Sequence, residues 1–158
     1  MLSVLMSPLF VMFISFIAYD FVVGDEMDKV TGLGYARGVV KTDNLYVVTD
    51  PGVNQLNVYD LSWSLVRTIG SFGSADGQLD GPDFVAVMGS NVMVADYWNN
   101  RVSLFNPSDG TFIRHLLTEV DDGIEEPSRM FYVEPSLWLS YDNSSDSSEW
   151  NVRKFTLP

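Results

Sequence analysis

A repeat of about 46 residues constrains the fold of this chain more than any other feature of its sequence. Three segments share an apolar run that ends in an aspartate: LYVVTD at 45–50, NVMVAD at 91–96 and LWLSYD at 137–142. Their closing residues Asp50, Asp96 and Asp142 are 46 positions apart in both intervals. A period of this size is typical of propeller blades, whereas leucine-rich repeats and β-helices have much shorter periods.

Each repeat holds four short segments rich in β-branched and aromatic residues, separated by turn-forming Gly, Asp, Asn, Ser and Pro. In the second repeat, strands are predicted at about 84–87, 92–95, 101–106 and 111–116. No segment shows a sustained helical period, so the chain is predicted to be all-β. A single four-stranded sheet cannot bury both of its faces, and therefore neighbouring repeats must pack against it, as propeller blades do.

The repeats divide residues 30–157 into units of about 30–73, 74–119 and 120–157. Closed propellers have about four to eight blades, which is more than three repeats supply. The sequence therefore predicts a partial, open β-propeller of about three four-stranded antiparallel blades. An open ring leaves the outer faces of its end blades uncovered, which predicts self-association.

The lack of cysteine and the single histidine exclude most kinds of nucleophilic and metal-dependent catalysis. The 158 residues include no cysteine and one histidine, His115, which excludes thiolate nucleophiles and zinc sites built from several imidazoles. The densest acidic run, at 119–126, lacks the alternating ligand spacing of an EF-hand loop. The sequence accordingly predicts no catalytic residue, no metal site and no cofactor. A net charge of −12 argues against nucleic acid as a partner.

Residues 1–23 form an apolar segment unlike the rest of the chain, with no charged side chain before Asp20. Their composition fits a signal or anchor segment, although no Lys or Arg precedes the run and Pro8 interrupts it. A buried strand is the alternative. The composition favours targeting, and hence a secreted or membrane-anchored location over a cytoplasmic one. Asn143 opens the sequon NSS, a glycosylation site if the chain enters a secretory pathway.

The second unit resembles an NHL repeat. The resemblance rests on four of its segments: GSFG at 70–73, GQLDGP at 77–82, VAV at 85–87 and VADYWNNRVSLF at 94–105. The first unit departs from the pattern at Gln55, where the family usually has Arg, and the third keeps little beyond Pro127, Asp142 and Val152. NHL repeats form β-propellers, usually of six blades, that mostly serve as platforms for proteins or, in some animal regulators, RNA.

Several motif residues are expected to hold the units together. Asp96 can accept hydrogen bonds from backbone N–H groups in the turn after the second strand, and Asn100 tolerates a left-handed backbone. The Arg101 guanidinium can contact the Asp96 carboxylate. Gly77 and Pro82 shape the crossing between units. The predicted structural set is Asp50, Gly77, Pro82, Asp96, Asn100, Arg101 and Asp142.

A second group is expected to face a partner. Arg37, Asp83 and Arg129 lie 46 residues apart at the start of the innermost strands, and their charge differs from unit to unit. Such variation indicates a position free to specialise. Tyr97 and Trp98 lie in the turn of the second unit, where aromatic and Arg side chains together suit a protein interface. Packing between units is the alternative role for these two aromatic residues.

The function predicted from these features is that of a non-catalytic NHL-type propeller module, a scaffold that binds a protein or peptide through its rim. The first alternative is a propeller enzyme, of lyase or lactonase type, with a metal bound by carboxylates. NHL-like lyases need several histidines for zinc, which this chain lacks. The weaker alternative is RNA binding, which requires a basic face and is opposed by the acidic composition.

Overall fold

The computed structural model describes residues 32–142 and 150–157 of the chain. The apolar segment 1–23 and the sequon at Asn143 lie outside the described residues. Within the described part, eleven strands form three separate antiparallel sheets, none of them closed, which confirms the all-β prediction. No helix in residues 32–142 and 150–157 has the length and apolar content to cross a membrane.

The strands follow one another in chain order across each sheet. The first sheet comprises β1 (Val39–Lys41), β2 (Leu45–Asp50), β3 (Gln55–Asp60) and β4 (Leu65–Ile69). The second comprises β5 (Pro82–Met88), β6 (Asn91–Asp96), β7 (Arg101–Phe105) and β8 (Phe112–Thr118). The third comprises β9 (Glu125–Val133), β10 (Ser136–Asp142) and β11 (Trp150–Thr156). A short 3₁₀ helix (Tyr97–Asn99) joins β6 to β7, and α1 (Glu119–Asp122) joins β8 to β9.

The strand predictions for the second unit overlap all four of its observed strands. The third unit differs from the prediction, because its sheet has three strands in the described residues rather than four.

The second sheet is covered on both faces by apolar side chains. Val92 and Val94 belong to a buried cluster shared with Val47 of the first sheet. Met93 and Ala95, the alternate residues of β6, belong to a second cluster shared with the third sheet. Because successive side chains of a strand point to opposite faces, a continuous apolar run such as that of β6 is expected for a strand covered on both sides.

The third sheet packs in a register that differs by one residue from the sequence alignment. A spacing of 46 would equate Leu139 with Met93, and both would then face away from the preceding sheet. Instead Leu137 and Leu139 lie in the cluster shared with the second sheet, as Val92 and Val94 do with the first. The buried faces of the second and third units match at a spacing of 45 residues. A shift of one residue moves every side chain of a strand to the opposite face of the sheet.

The other face of the third sheet is exposed and partly apolar, with Lys154 beside the Trp138 ring. Phe131 pairs with Trp138 across β9 and β10, and their side chains are 46% and 44% exposed. Val133 and Val152 extend this surface and are still more exposed. These four residues are called the outer face of the third sheet below.

Candidate functional site

The three charged residues at the starts of the units meet at one carboxylate. Nη1 of Arg37 donates to Oδ1 of Asp83 at 2.6 Å, which joins the first sheet to the second. Nη1 of Arg129 lies 4.0 Å from Oδ2 of Asp83, which brings the third sheet to the same group. The sequence predicted these side chains as separate partner-facing groups, whereas in the fold they contact one another and link three sheets.

A bulge directs the Asp83 side chain toward its partners. Pro82 pairs with Asp96 and Phe84 pairs with Ala95, which leaves Asp83 as the extra residue of β5. A similar irregularity lies in β9, where Ser128 and Arg129 occupy the stretch between two regular pairs. Bulges reorient side chains that a regular ladder would place on a sheet face.

Asp83 is buried, with 3% of its surface exposed, and its polar atoms are well supplied with partners. The Ser128 hydroxyl donates to Oδ2 at 2.5 Å. The Thr49 hydroxyl lies 3.3 Å from the Asp83 carbonyl oxygen, a further link to the first sheet. A buried carboxylate is tolerated when it is paired and hydrogen-bonded in this way. Asp83 therefore supplies a buried negative charge at a fixed position in the site.

A cavity of about 270 Å³ opens beside this carboxylate. Four of the five residues predicted for the rim line it: Arg37, Asp83, Tyr97 and Trp98. The fifth, Arg129, contacts the cavity only through Asp83. Pro51, Gly81 and Ser128 complete the lining. Residues from all three units therefore enclose one concavity.

Trp98 is held in place at the mouth of this cavity although its side chain is exposed (62%). The Tyr97 ring packs edge-on against it with a centroid distance of 4.7 Å. Gly81 lies so close that an added Cβ would be 2.5 Å from the indole Cδ1. The backbone N–H of Trp98 donates to the Asp80 carbonyl at 3.1 Å. The indole thus offers a preorganised apolar surface to solvent.

Tyr97 acts as a hydrogen-bond donor within the fold. Its hydroxyl donates to Oε2 of Glu126 at 2.6 Å. Burial and this contact raise the pKa of Tyr97 to about 12, so the phenol stays protonated at neutral pH. Tyr97 therefore lines the cavity and also contacts the third unit through Glu126.

The predicted contact between Arg101 and Asp96 is present, with Nε 2.7 Å from Oδ2. Asp96 also accepts from the Asn99 side chain and from the backbone N–H of Asp80. That N–H lies in the loop before β5, not in the turn after β6 as the sequence predicted, because this loop folds back over the strand end. Arg101 also donates to three carbonyl oxygens of the same loop: Ser74, Ala75 and Gln78.

Two asparagines connect each unit to the next through the same contact. Asn100 has φ 52° and ψ 43°, the predicted left-handed backbone, and its Oδ1 accepts the Glu126 N–H at 2.8 Å. Asn54 has φ 56°, and its Oδ1 accepts the Gly81 N–H at 2.7 Å. Asn54 precedes Asn100 by one repeat, which is a sequence signal that could have identified it.

The remaining residues of the predicted structural set differ from one another in burial and in contacts. Asp50 is buried and accepts the backbone N–H groups of Gly34 and Tyr35 at 2.8 and 2.9 Å. Gly77 has φ +79° in the loop between the first two sheets, and Pro82 is buried as the first residue of β5. Asp142 is only partly buried, and its Oδ1 has no partner among the described residues. In the described residues, the register of the third unit places Tyr141 rather than Asp142 at the position equivalent to Asp96.

The single histidine lies on an outer strand, away from the cavity lining. Nδ1 of His115 is 3.0 Å from the Ser103 hydroxyl oxygen, and Nε2 is 3.2 Å from Oδ1 of Asp76. Burial and the nearby Arg101 lower the pKa of His115, and the Asp76 carboxylate opposes them only in part. In residues 32–142 and 150–157, no group of three or more His, Cys, Asp or Glu is arranged to hold a metal ion.

Comparison with known proteins gives likeness at the level of fold. No protein-family model and no curated protein matches the chain. Among solved structures, a candidate exported protein of Bacteroides fragilis has a TM-score of 0.58 and 18% identity, and the match covers 80% of this chain and 36% of that one. The chain thus spans little more than a third of that protein.

Two computationally designed proteins are also similar in part. Ika4 gives a TM-score of 0.46 at 10% identity, covering 85% of this chain and 99% of its own. Ika8 gives 0.39 at 11% identity, covering 80% and 47%. The conclusion from the geometry and from the Bacteroides structure is an all-β fold of several antiparallel sheets, with a cavity where the three sheets meet.

Proposed function

We propose that this chain is a non-catalytic module of an NHL-type β-propeller and that it binds a protein or peptide partner at the cavity beside Asp83. The 46-residue repeat, the NHL-like motif of the second unit and the face-to-face packing of successive antiparallel sheets support the propeller architecture. In that architecture β1, β5 and β9 are the innermost strands of three blades.

One observation carries the binding proposal. An exposed indole, a partly exposed guanidinium and a buried carboxylate from two different units line the same concavity. Trp and Arg dominate the binding energy of many protein interfaces, and preformed concave sites need little reorganisation on binding. Asp83 and Ser128 lie on strands, and Tyr97 and Trp98 lie on a tight 3₁₀ turn. Arg37 lies in the segment before β1 and is held by its contact with Asp83.

The experiment is selection from a random peptide display library on the immobilised chain. Selected peptides are then titrated against the wild-type chain and against Trp98→Ala. We expect the substitution to weaken binding at least tenfold, because a central interface Trp contributes about 2 kcal/mol or more. Trp138→Ala, which removes an exposed indole from the outer face of the third sheet, is the matched control and should leave binding unchanged.

Equal binding of the selected peptides to the wild type and to Trp98→Ala would exclude the cavity as the binding site. If no peptides are selected, or if the selected peptides do not compete for a common site, the proposed function as a whole would be contradicted.

We also propose that the chain associates with itself through the outer face of the third sheet. The second sheet buries its apolar residues on both sides, whereas this face leaves Phe131 and Trp138 nearly half exposed. Contiguous exposed apolar patches of this kind favour association. Its test is given with the predictions below.

A further inference from the structure

We propose that the cavity binds a carboxylate group of the partner, with an apolar residue next to that carboxylate packed on Trp98. This inference rests on the proposed function and specifies the chemistry of its ligand. It is argued from the charges, the free hydrogen-bond donors and the shape of the site.

Two cationic side chains converge on the buried carboxylate of the site. Arg37 and Arg129 both lie against Asp83, so two guanidinium groups share one carboxylate. The negative partner is buried (side chain 5% exposed), whereas the two positive side chains are 42% and 33% exposed. A ligand entering the cavity therefore meets the Arg37 guanidinium before the buried carboxylate, whereas Arg129 acts on the site through Asp83. Glu126 accepts a hydrogen bond from the lining residue Tyr97, and the charges of Glu126 and Asp142 both act on that phenol.

Arg37 retains hydrogen-bond donors for a ligand. A guanidinium has five N–H groups, and in the described part of the chain that of Arg37 donates from Nη1 to Asp83 and also interacts with the Tyr35 side chain. The Tyr35 ring lies 5.0 Å from its Cζ and supports the guanidinium plane. Arginine held at one edge by a carboxylate and stacked on a ring is well placed to bind a second carboxylate through its free edge.

The charge balance favours a monoanion. The guanidinium groups of Arg37 and Arg129 face Asp83, while Glu126 and Asp142 act on the neighbouring Tyr97. One added negative charge at Arg37 is therefore better tolerated than two. A phosphate near neutral pH carries about −1.5 to −2 charges and would place excess negative charge close to buried Asp83. Like charges in a poorly solvated site are strongly unfavourable, so a carboxylate is the better match.

The neighbouring indole specifies the rest of the ligand. Trp98 lines the same cavity, and its position is fixed by Gly81 and by the Tyr97 ring. A residue adjacent to the bound carboxylate would lie over this exposed surface. An apolar side chain gains most there, because it removes both its own surface and that of the indole from water.

The test uses synthetic nonapeptides of Gly and Ser with a fluorescein label and an amidated C-terminus. Each has a central Leu followed by Glu, Gln, phosphoserine or Lys, and one further peptide ends in Leu with a free C-terminal carboxylate. Fluorescence anisotropy is followed up to about millimolar protein. We expect the Leu-Glu peptide, the peptide with the free carboxylate, or both to bind at least tenfold more tightly than the Leu-Gln peptide. The two acidic peptides distinguish a side-chain carboxylate from a C-terminal one.

Variants locate the binding. Arg37→Gln and Arg129→Gln should each weaken binding of the acidic peptide about tenfold and reduce its dependence on salt. Arg114→Gln, an exposed arginine of β8, is the matched control. Thermal unfolding monitors the fold. If loss of Arg37 unfolds the chain, Arg129→Gln carries the test, because its contact with Asp83 is the longer of the two.

Failure of both the Glu peptide and the free-carboxylate peptide to bind more tightly than the Gln peptide, tighter binding of the phosphoserine or Lys peptide, or no binding by any peptide would each overturn the carboxylate inference. The proposed function would still stand in those cases if library-selected peptides bind in a manner that depends on Trp98.

Discussion

Nε of Arg101 lies 2.7 Å from Oδ2 of Asp96 in a contact from which water is almost fully excluded, since the two side chains are 9% and 0% exposed. The other guanidinium nitrogens donate to carbonyl oxygens of the loop before β5. One side chain therefore compensates a buried carboxylate and also orders the segment that connects two sheets.

Replacing Arg101 with Met should destabilise the chain by about 3–5 kcal/mol, because it leaves the Asp96 carboxylate buried without its cation. The free energy of unfolding in urea measures this effect. Arg114→Met, at an exposed position of β8, should change it by less than about 0.5 kcal/mol. A similar small change for both variants would show that the buried pair adds little to stability.

Gly81→Ala should be more costly than Gly89→Ala, although both glycines have nearly the same backbone, with φ +62° and +60°. An added Cβ meets nothing within 4 Å at Gly89, so this variant shows only the cost of the left-handed backbone, about 1–2 kcal/mol. At Gly81 the same atom collides with Trp98. Urea unfolding gives the two costs, and a changed tryptophan emission spectrum for Gly81→Ala alone would report the displaced indole. Identical costs would contradict the packing described for Trp98.

Asn100→Gly and Asn100→Ala should separate the two contributions of this residue. Both remove the acceptor for the Glu126 N–H, at a cost of about 1 kcal/mol. Only Ala adds the strain of φ 52°, so Asn100→Ala should be less stable than Asn100→Gly by about 1 kcal/mol. Denaturant midpoints of the two variants measure this difference, and equal midpoints would argue against the left-handed backbone.

His115 should make stability depend on pH below about 6.5. Burial and Arg101 lower its pKa in the folded chain, so the unfolded chain takes up a proton at a higher pH than the folded one. The contribution of neutral His115 to the free energy of unfolding is fully present above the pKa that His115 has in the unfolded chain. It is lost as pH falls through the pKa that His115 has in the folded chain. The stability difference between the wild type and His115→Gln should therefore be less favourable to the wild type at pH 5 than at pH 7.5. A difference that grows in favour of the wild type on acidification would contradict the lowered pKa.

The outer face of the third sheet should drive association. Trp138→Lys combined with Val152→Lys places two charges on this face and should shift the chain from concentration-dependent oligomers to monomers. Light scattering coupled to size-exclusion chromatography measures the mass. Leu61→Lys with Val66→Lys, two exposed apolar positions of the first unit, is the control. A wild-type mass that stays monomeric at all concentrations would refute self-association.

The sequence predicted the strands and the contact between Asp96 and Arg101 because both depend on local spacing. Strands follow from apolar runs between turn residues, and Arg101 follows Asp96 by a short tight connection. The left-handed backbone of Asn100 is predictable for the same reason. These features involve residues a few positions apart, for which one sequence is informative.

Contacts between units were less predictable. The alignment at 46 residues places the third unit on the wrong face, because a one-residue irregularity in a ladder is invisible in an apolar run such as LWLSYD. The bulges at Asp83 and Ser128 have the same effect on side-chain direction. Hence the sequence located Arg37, Asp83 and Arg129 but not their mutual contact, and it missed Ser128, which follows Asp83 by 45 residues.

The single carboxylate of Asp83 has a consequence for how this sequence can evolve. It serves the first and third units at once, so reversal of charge at position 37 or 129 alone would set two like charges side by side. A change of sign at position 83 would require compensation at both neighbours. The three positions are therefore expected to covary as a set in any relatives of this chain, although no two of them are closer than 46 residues in sequence.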